Sequence, residues 1–134
     1  LIEIAARGGG NMISSVITQH MTGFDTYRYL VECATGDIHD QDFSLRPEYK
    51  DRAAVLKFFI TPGGGGKVSS VEGLDYLESE PDIVQYKLNF QIGDTIQDAL
   101  NDSARIGFYI VCSENMQKLR EVINNVEEKF KIIY

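Results

Sequence analysis

Within the first eleven residues, LIEIAARGGGN, an acid and a base stand four positions apart and run into three consecutive glycines. Read as a strand over residues 1–7, the side chains alternate with period two, so Glu3, Ala5 and Arg7 share one face. A carboxylate suits Mg²⁺, and a guanidinium suits a phosphate or another carboxylate. Gly8, Gly9 and Gly10 leave a backbone that a ligand can approach without meeting side chains. They precede a stretch of helical spacing whose first amides would face an anion. Asn11 and Ser14 fall in its first turn, where either can cap the helix or touch a substrate. The plain alternative is a buried strand ending in a glycine turn, with Glu3 and Arg7 as a surface ion pair.

This stretch resembles the last metal-binding strand of the ATP-grasp ligases, where a Glu-x-Asn-x-Arg motif lies late in the catalytic domain. Glu3 and Arg7 match it, and Ala5 stands where the family has Asn, which leaves one metal ligand fewer. EIAAR followed by glycines is similar to the L-amino-acid ligase and carbamoyl-phosphate-synthase-like branch. The phrases downstream keep that branch's order. MISSVITQH is followed by Thr22-Gly23-Phe24-Asp25 and TYRYLVECATG, then by AAVLKFFITPGGGGKVSSVEGL, KLNFQIGDTI and the run from Ala104 to Val111.

The resemblance implies an ATP-dependent carboxylate–amine ligase working through an acylphosphate. It implies Glu3 as a Mg²⁺ ligand and Arg7 as the catalytic contact to the acyl group. Gly8, Gly9, Gly10 and Asn11 then form the cofactor-binding turn beside ATP. The phosphate loop and the other metal carboxylate would lie in an upstream ATP-binding lobe of the same enzyme. A small carboxylate and an amine would be the substrates. Leu1, which is not a methionine and opens in mid-strand, fits a C-terminal fragment of such a ligase, inactive alone.

The 134 residues, 43% hydrophobic, are enough for one domain or a domain plus a piece. A net charge of −7 argues against a nucleic-acid partner, whose phosphates call for a basic face. No apolar run approaches the roughly 20 residues that span a bilayer, so no membrane association is expected. Cys33 and Cys112 lie far apart in apolar patterns, without a second Cys or His at metal spacing. Two buried free thiols, raised in pKa by their surroundings, suit a reducing, cytoplasmic setting.

Periodicity divides the chain into residues 1–50, the end of a catalytic lobe with a strand and two helices, and residues 51–134, a small α+β domain. In the first part a helix over 12–20 turns Met12 and Val16 to one side. Thr22 or Asp25 caps a second helix that ends at Gly36 and carries a stripe of Tyr27, Leu30, Val31 and Ala34. Residues 36–51 are polar and without period. In the second part residues 53–60 read as a buried strand, and the glycine-rich turn after Thr61 returns residues 67–71 as its partner. A short helix follows over 74–80. Residues 83–91 alternate, with Val84, Tyr86, Leu88 and Phe90 on one face, and residues 106–111 form a further strand. Ser113 is expected to cap a long C-terminal helix whose Met116, Leu119, Ile123, Val126 and Phe130 make one side. The fold class is therefore α+β, antiparallel strands with a long helix across them.

Other candidates have weaker chemistry. The run from Gly63 to Gly66 feeds a strand rather than a helix with Lys and Ser/Thr, so a hairpin is favoured over a phosphate loop. His20 at a helix end suits a structural role. His39, among Asp37, Asp40 and Asp42, lacks the spacing of a calcium loop. Arg105 either approaches substrate or pairs with a local carboxylate. The rival function is a non-catalytic ligand-binding or dimerising module, with a homodimer as one outcome. Such a module would have no use for Glu3 and Arg7 on one face beside three glycines.

Overall fold

The computed structural model describes residues 9–10, 12–37, 40, 42–61, 65–97 and 105–134, and the strand expected over 1–7 falls outside them. A π-helical turn, Ile13–Ile17, runs directly into α1 (Thr18–Thr22). Helix α2 (Thr26–Thr35) begins where the Asp25 carboxylate accepts the Arg28 amide, and it ends at Gly36 in a left-handed conformation. A 3-10 turn, Pro47–Tyr49, leads to the strands. These are β1 (Ala53–Phe58), β2 (Gly66–Lys67), β3 (Ser70–Glu72), β4 (Ile83–Leu88), β5 (Thr95–Ile96), β6 (Gly107–Ser113) and β7 (Lys131–Ile133). Helix α3 (Leu74–Ser79) lies between β3 and β4, and α4 (Met116–Lys129) between β6 and β7.

The main sheet is antiparallel, in the order β1-β6-β4. Strand β6 is its centre, and Tyr109, Ile110, Val111, Cys112 and Ser113 are all buried. Burial on both faces explains why GFYIVCS reads as a continuous run rather than an alternation. On one face Leu119, Val122 and Val126 of α4 close the core together with Val111, Tyr109 and Ala53. The π turn and α1 pack against β1.

Three expectations need correction. Residues 67–71 do not return onto β1, whose partner in register is β6, from Ala53 opposite Ser113 to Phe58 opposite Phe108. Instead Gly66–Lys67 pairs with Thr95–Ile96, and Ser70–Glu72 pairs with Lys131–Ile133. Val68 between them is buried and exchanges backbone hydrogen bonds with the turn at Gly93 and Asp94. Burying that side chain draws the segment off the sheet edge and into the core.

In β4 a bulge between Ile83 and Gln85 breaks the alternation. Val84 is thrown outward and Ile83 joins the core in its place, beside Tyr86, Leu88 and Phe90. The third correction concerns the cap of α4. Ser113 is drawn into the end of β6, where its hydroxyl donates to Asp82 Oδ2 at 2.6 Å. Asn115 caps instead, its Oδ1 accepting the Lys118 amide at 2.9 Å, and Met116 is exposed.

Candidate functional site

Of the residues singled out at the start of the chain, Glu3, Arg7, Gly8 and Asn11 lie outside the described residues, whereas Gly9 and Gly10 are described. The glycine turn is braced from below. The Gly9 amide donates to Ser14 Oγ at 2.8 Å, and Ser14 is buried. The Gly10 carbonyl accepts the Ile13 amide at 3.1 Å, and Met12 turns the chain with φ of 61°. A Cβ on Gly9 would press on the Ile13 side chain at 3.1 Å, while one on Gly10 would meet nothing within 4 Å among the described residues.

The segment behind this turn is fastened to the centre of the sheet. His20 Nε2 is bonded to the Ser113 carbonyl at 2.9 Å, and Arg52 Nη1 donates to the His20 carbonyl at 3.1 Å. Arg52 also lies over the Tyr49 ring, which Arg46 flanks. His20 therefore has the structural role its position suggested.

Helix α2 presents its apolar stripe outward. Tyr27, Leu30 and Val31 are 51%, 50% and 62% exposed, and Met12 and Ile13 are exposed as well. Beside the start of α2 lies a cleft of about 740 Å³ floored by Phe24, Tyr29 and Phe43, whose ring centroids are 5.3–5.7 Å apart. Its charges are already engaged. Asp25 caps α2, Arg28 pairs with Glu32 at 2.7 Å, and Asp42 accepts the Ser44 amide at 2.9 Å. Hydrogen bonds from Ser44 hold the Asp42 carboxyl below the usual carboxylate range.

Arg105 lies with its guanidinium carbon 3.8 Å from the centre of the Phe58 ring. His39, Gly63 and Gly64 lie outside the described residues. Among the described residues no group of three or more His, Cys, Asp and Glu is gathered as a metal site, and no helix is long and apolar enough to cross a membrane. Cys112 is buried, as its apolar run suggested, and Cys33 is only partly so.

A second groove, which the sequence did not reveal, opens between β1 and the end of α4. It holds about 500 Å³ and is lined by Phe59, Ile60, Tyr109 and Phe130, with Lys57 and Glu127 also in its wall. Phe59 stacks on Phe130 with centroids 4.2 Å apart. Lys57 Nζ pairs with Glu127 Oε1, and both side chains are partly exposed. The Tyr109 hydroxyl is buried without a hydrogen-bond partner.

Burial pushes the Tyr109 phenol up to about 12, with the charge of Glu127 adding to it. It likewise pushes the Cys112 thiol up to about 11, with Asp82 adding. Both folded values lie above the ordinary 10.0 and 9.0, so the folded state holds these protons more tightly than the unfolded chain. Their contribution to stability is complete below the ordinary values and is lost as pH rises toward the folded ones. Thermal midpoints should hold to about pH 9 and fall from there to about pH 11, and Cys112→Ala should delay the onset by about one pH unit. A flat profile would contradict the burial of both groups.

Residues 58–134, more than half of the chain, match the family model described as L-amino acid ligase C-terminal domain 2. The chain belongs to this family. No curated protein matches it. Among solved structures, the L-amino acid ligase from Bacillus licheniformis superposes with a TM-score of 0.74 at 20% identity, over 99% of this chain and 32% of that one. Phosphoribosylglycinamide synthetase from Anaerococcus prevotii gives a TM-score of 0.66 at 17% identity, over 90% of this chain and 30% of its own.

Both relatives are ATP-grasp enzymes, and the chain spans about a third of their length. At these identities the likeness is one of fold. The resemblance to the C-terminal part of an ATP-grasp ligase, and the mixed α+β architecture expected from it, are thereby borne out.

Proposed function

We propose that this chain is the C-terminal part of a cytoplasmic ATP-dependent ligase that joins a small carboxylate to an amine. Membership of the L-amino acid ligase C-terminal family carries the reading. In the proposed reaction the γ-phosphoryl group of ATP passes to a carboxylate oxygen, giving an acylphosphate and ADP. The amine nitrogen then bonds to the acyl carbon, and phosphate leaves with the bonding pair.

Each step needs charge neutralised and groups held in line. Glu3 would hold Mg²⁺, which supplies the neutralising charge on the ATP phosphates. Arg7 would steady the acyl group, with its fork of donors suited to a carboxylate or phosphate. Gly8, Gly9, Gly10 and Asn11 would form the wall of the cleft nearest the phosphates, where glycines let a ligand approach the backbone closely. One carboxylate is an incomplete donor set for Mg²⁺, which takes its ligands in octahedral geometry. The remaining ligands would come from the upstream lobe.

In this reading residues 1–50 complete the catalytic lobe and residues 51–134 form the accessory domain. The outward stripe of Tyr27, Leu30 and Val31 fits docking against the remainder of such a ligase, since about two thirds of the L-amino acid ligase relative's own length lies outside the matched part. A ligase that includes this chain and its upstream lobe should release ADP only when an amino acid and Mg²⁺ are both supplied. The 134 residues alone should not bind Mg·ATP measurably by calorimetry. Tight nucleotide binding by the isolated chain would overturn this division of labour.

A further inference from the structure

The groove between β1 and the end of α4 has two unlike ends. One is apolar, built from the stacked rings of Phe59 and Phe130 and from Ile60, which is 85% exposed. The other is polar, with the Lys57 ammonium, the Glu127 carboxylate and the Tyr109 hydroxyl. The register explains how they meet. Lys57 on β1 stands directly opposite Tyr109 on β6, so both project from the same face of the sheet, the face that α4 covers with Glu127.

Tyr109 is only 2% exposed, and among the described residues its hydroxyl has no hydrogen-bond partner. Leaving such a donor unmet is costly, and buried polar groups in folded proteins are overwhelmingly paired. Lys57 and Glu127 are paired with each other, in a bridge exposed enough to contribute little. The volume of about 500 Å³ lies inside the range of small-molecule pockets, and a few polar groups over an aromatic floor is their usual make-up.

The geometry points to a binding site for a free α-amino acid with an apolar side chain. Its carboxylate would take the Lys57 ammonium and the Tyr109 hydroxyl, and its ammonium group the Glu127 carboxylate. Its side chain would lie on Phe59 and Phe130. One positive and one negative group side by side over an apolar slot match a zwitterion, whereas a simple anion or cation would leave one of them facing like charge. Binding exchanges the Lys57–Glu127 bridge for two equivalent ones and gives the Tyr109 hydroxyl the acceptor it lacks. The inference stands apart from the ligase reading, because it requires neither ATP nor the upstream lobe.

The test is calorimetric titration of the 134-residue chain with L-leucine and L-phenylalanine in the absence of nucleotide. Small ligands of this size should bind with a Kd of about 1 mM or somewhat below. N-acetyl-L-leucine and L-leucinamide, each lacking one charge, should bind about tenfold more weakly. Glu127→Gln and Lys57→Met should each weaken L-leucine about tenfold, and Tyr109→Phe severalfold. Glu127 is a partly exposed side chain, so its substitution leaves the core intact and keeps the test decisive even if another variant unfolds.

Absence of binding by the unmodified chain would overturn the proposal. So would equal affinity for the N-acetylated ligand, or L-leucine binding that Glu127→Gln does not change. Dimerisation abolished by Ile60→Ser, with no amino-acid binding, would also overturn it and assign the groove to a second copy of the chain. Because no nucleotide is present, failure here would leave the ligase reading untouched.

Discussion

Glu3→Gln in the full-length ligase is expected to cost about 10³-fold in amino-acid-dependent ADP release, with the melting temperature unchanged. The substitution keeps the shape and removes one negative charge. A metal that neutralises a transferring phosphoryl group contributes several kcal/mol to the transition state, and several kcal/mol is about three powers of ten. The loss should be sharper here than where the motif is complete. Ala5 stands where the resembling ATP-grasp motif has a metal-binding Asn, so in the proposed site Glu3 would have no second ligand from the same motif to share the load. Steady-state ADP release at saturating Mg²⁺, set beside a thermal melt, makes the measurement. An unchanged ATPase rate would remove Glu3 from the metal site.

The second large effect is on folding. Gly107→Ala should destabilise the chain by about 4 kcal/mol, lowering the melting temperature by about 15 °C. Gly107 opens the central strand β6 with φ of 153°, and a Cβ there would stand 2.2 Å from the Lys87 carbonyl oxygen on β4. That oxygen belongs to the neighbouring strand and cannot retreat without parting the sheet, while Phe59 closes in at 3.1 Å. Gly36→Ala provides the contrast. Its φ of 79° is also positive, but nothing among the described residues lies within 4 Å, so only the conformational cost of about 1 kcal/mol should appear. Denaturant melts of the two variants should differ by about 3 kcal/mol. Equal losses would mean that backbone strain alone, and not contact with β4, holds Gly107 in place.

Gly107 also illustrates what the amino-acid order reveals. Its place in the run from Ala104 to Val111 carries part of the family resemblance, and the structure supplies the physical reason for a glycine there. The end of helix α2 at Gly36 was readable and its cap was narrowed to Thr22 or Asp25, because such residues are local punctuation acting on their own neighbours; the structure selects Asp25. The pairing of β1 with β6 was not readable. A glycine-rich turn favours the nearest strand as partner, and only the burial of Val68 pulls that strand away.

Ser113 and Asn115 are both good caps two residues apart, and the choice between them is made by Asp82 from the turn that precedes β4. The stripe on α2 was legible as a face, yet periodicity states which side is apolar and not what covers it. Lys57, Tyr109 and Glu127 come from three distant points of the chain, and nothing short of the register brings them together. The candidate catalytic residues, by contrast, are proposed from one uninterrupted stretch of sequence, of which Glu3, Arg7, Gly8 and Asn11 lie outside the described residues.

The π turn at Ile13–Ile17 fixes the angular phase of the glycines that precede it, Gly9 and Gly10. Such a turn holds one residue more than the regular helix it continues into, and one residue corresponds to about 100° of rotation about the axis. With α1 moored to Ser113 through His20, that surplus residue sets the direction in which the chain leaves the helix at Gly9 and Gly10. A deletion in this turn would let it relax to an ordinary helix and swing Gly9 and Gly10 about a quarter of the way around the axis.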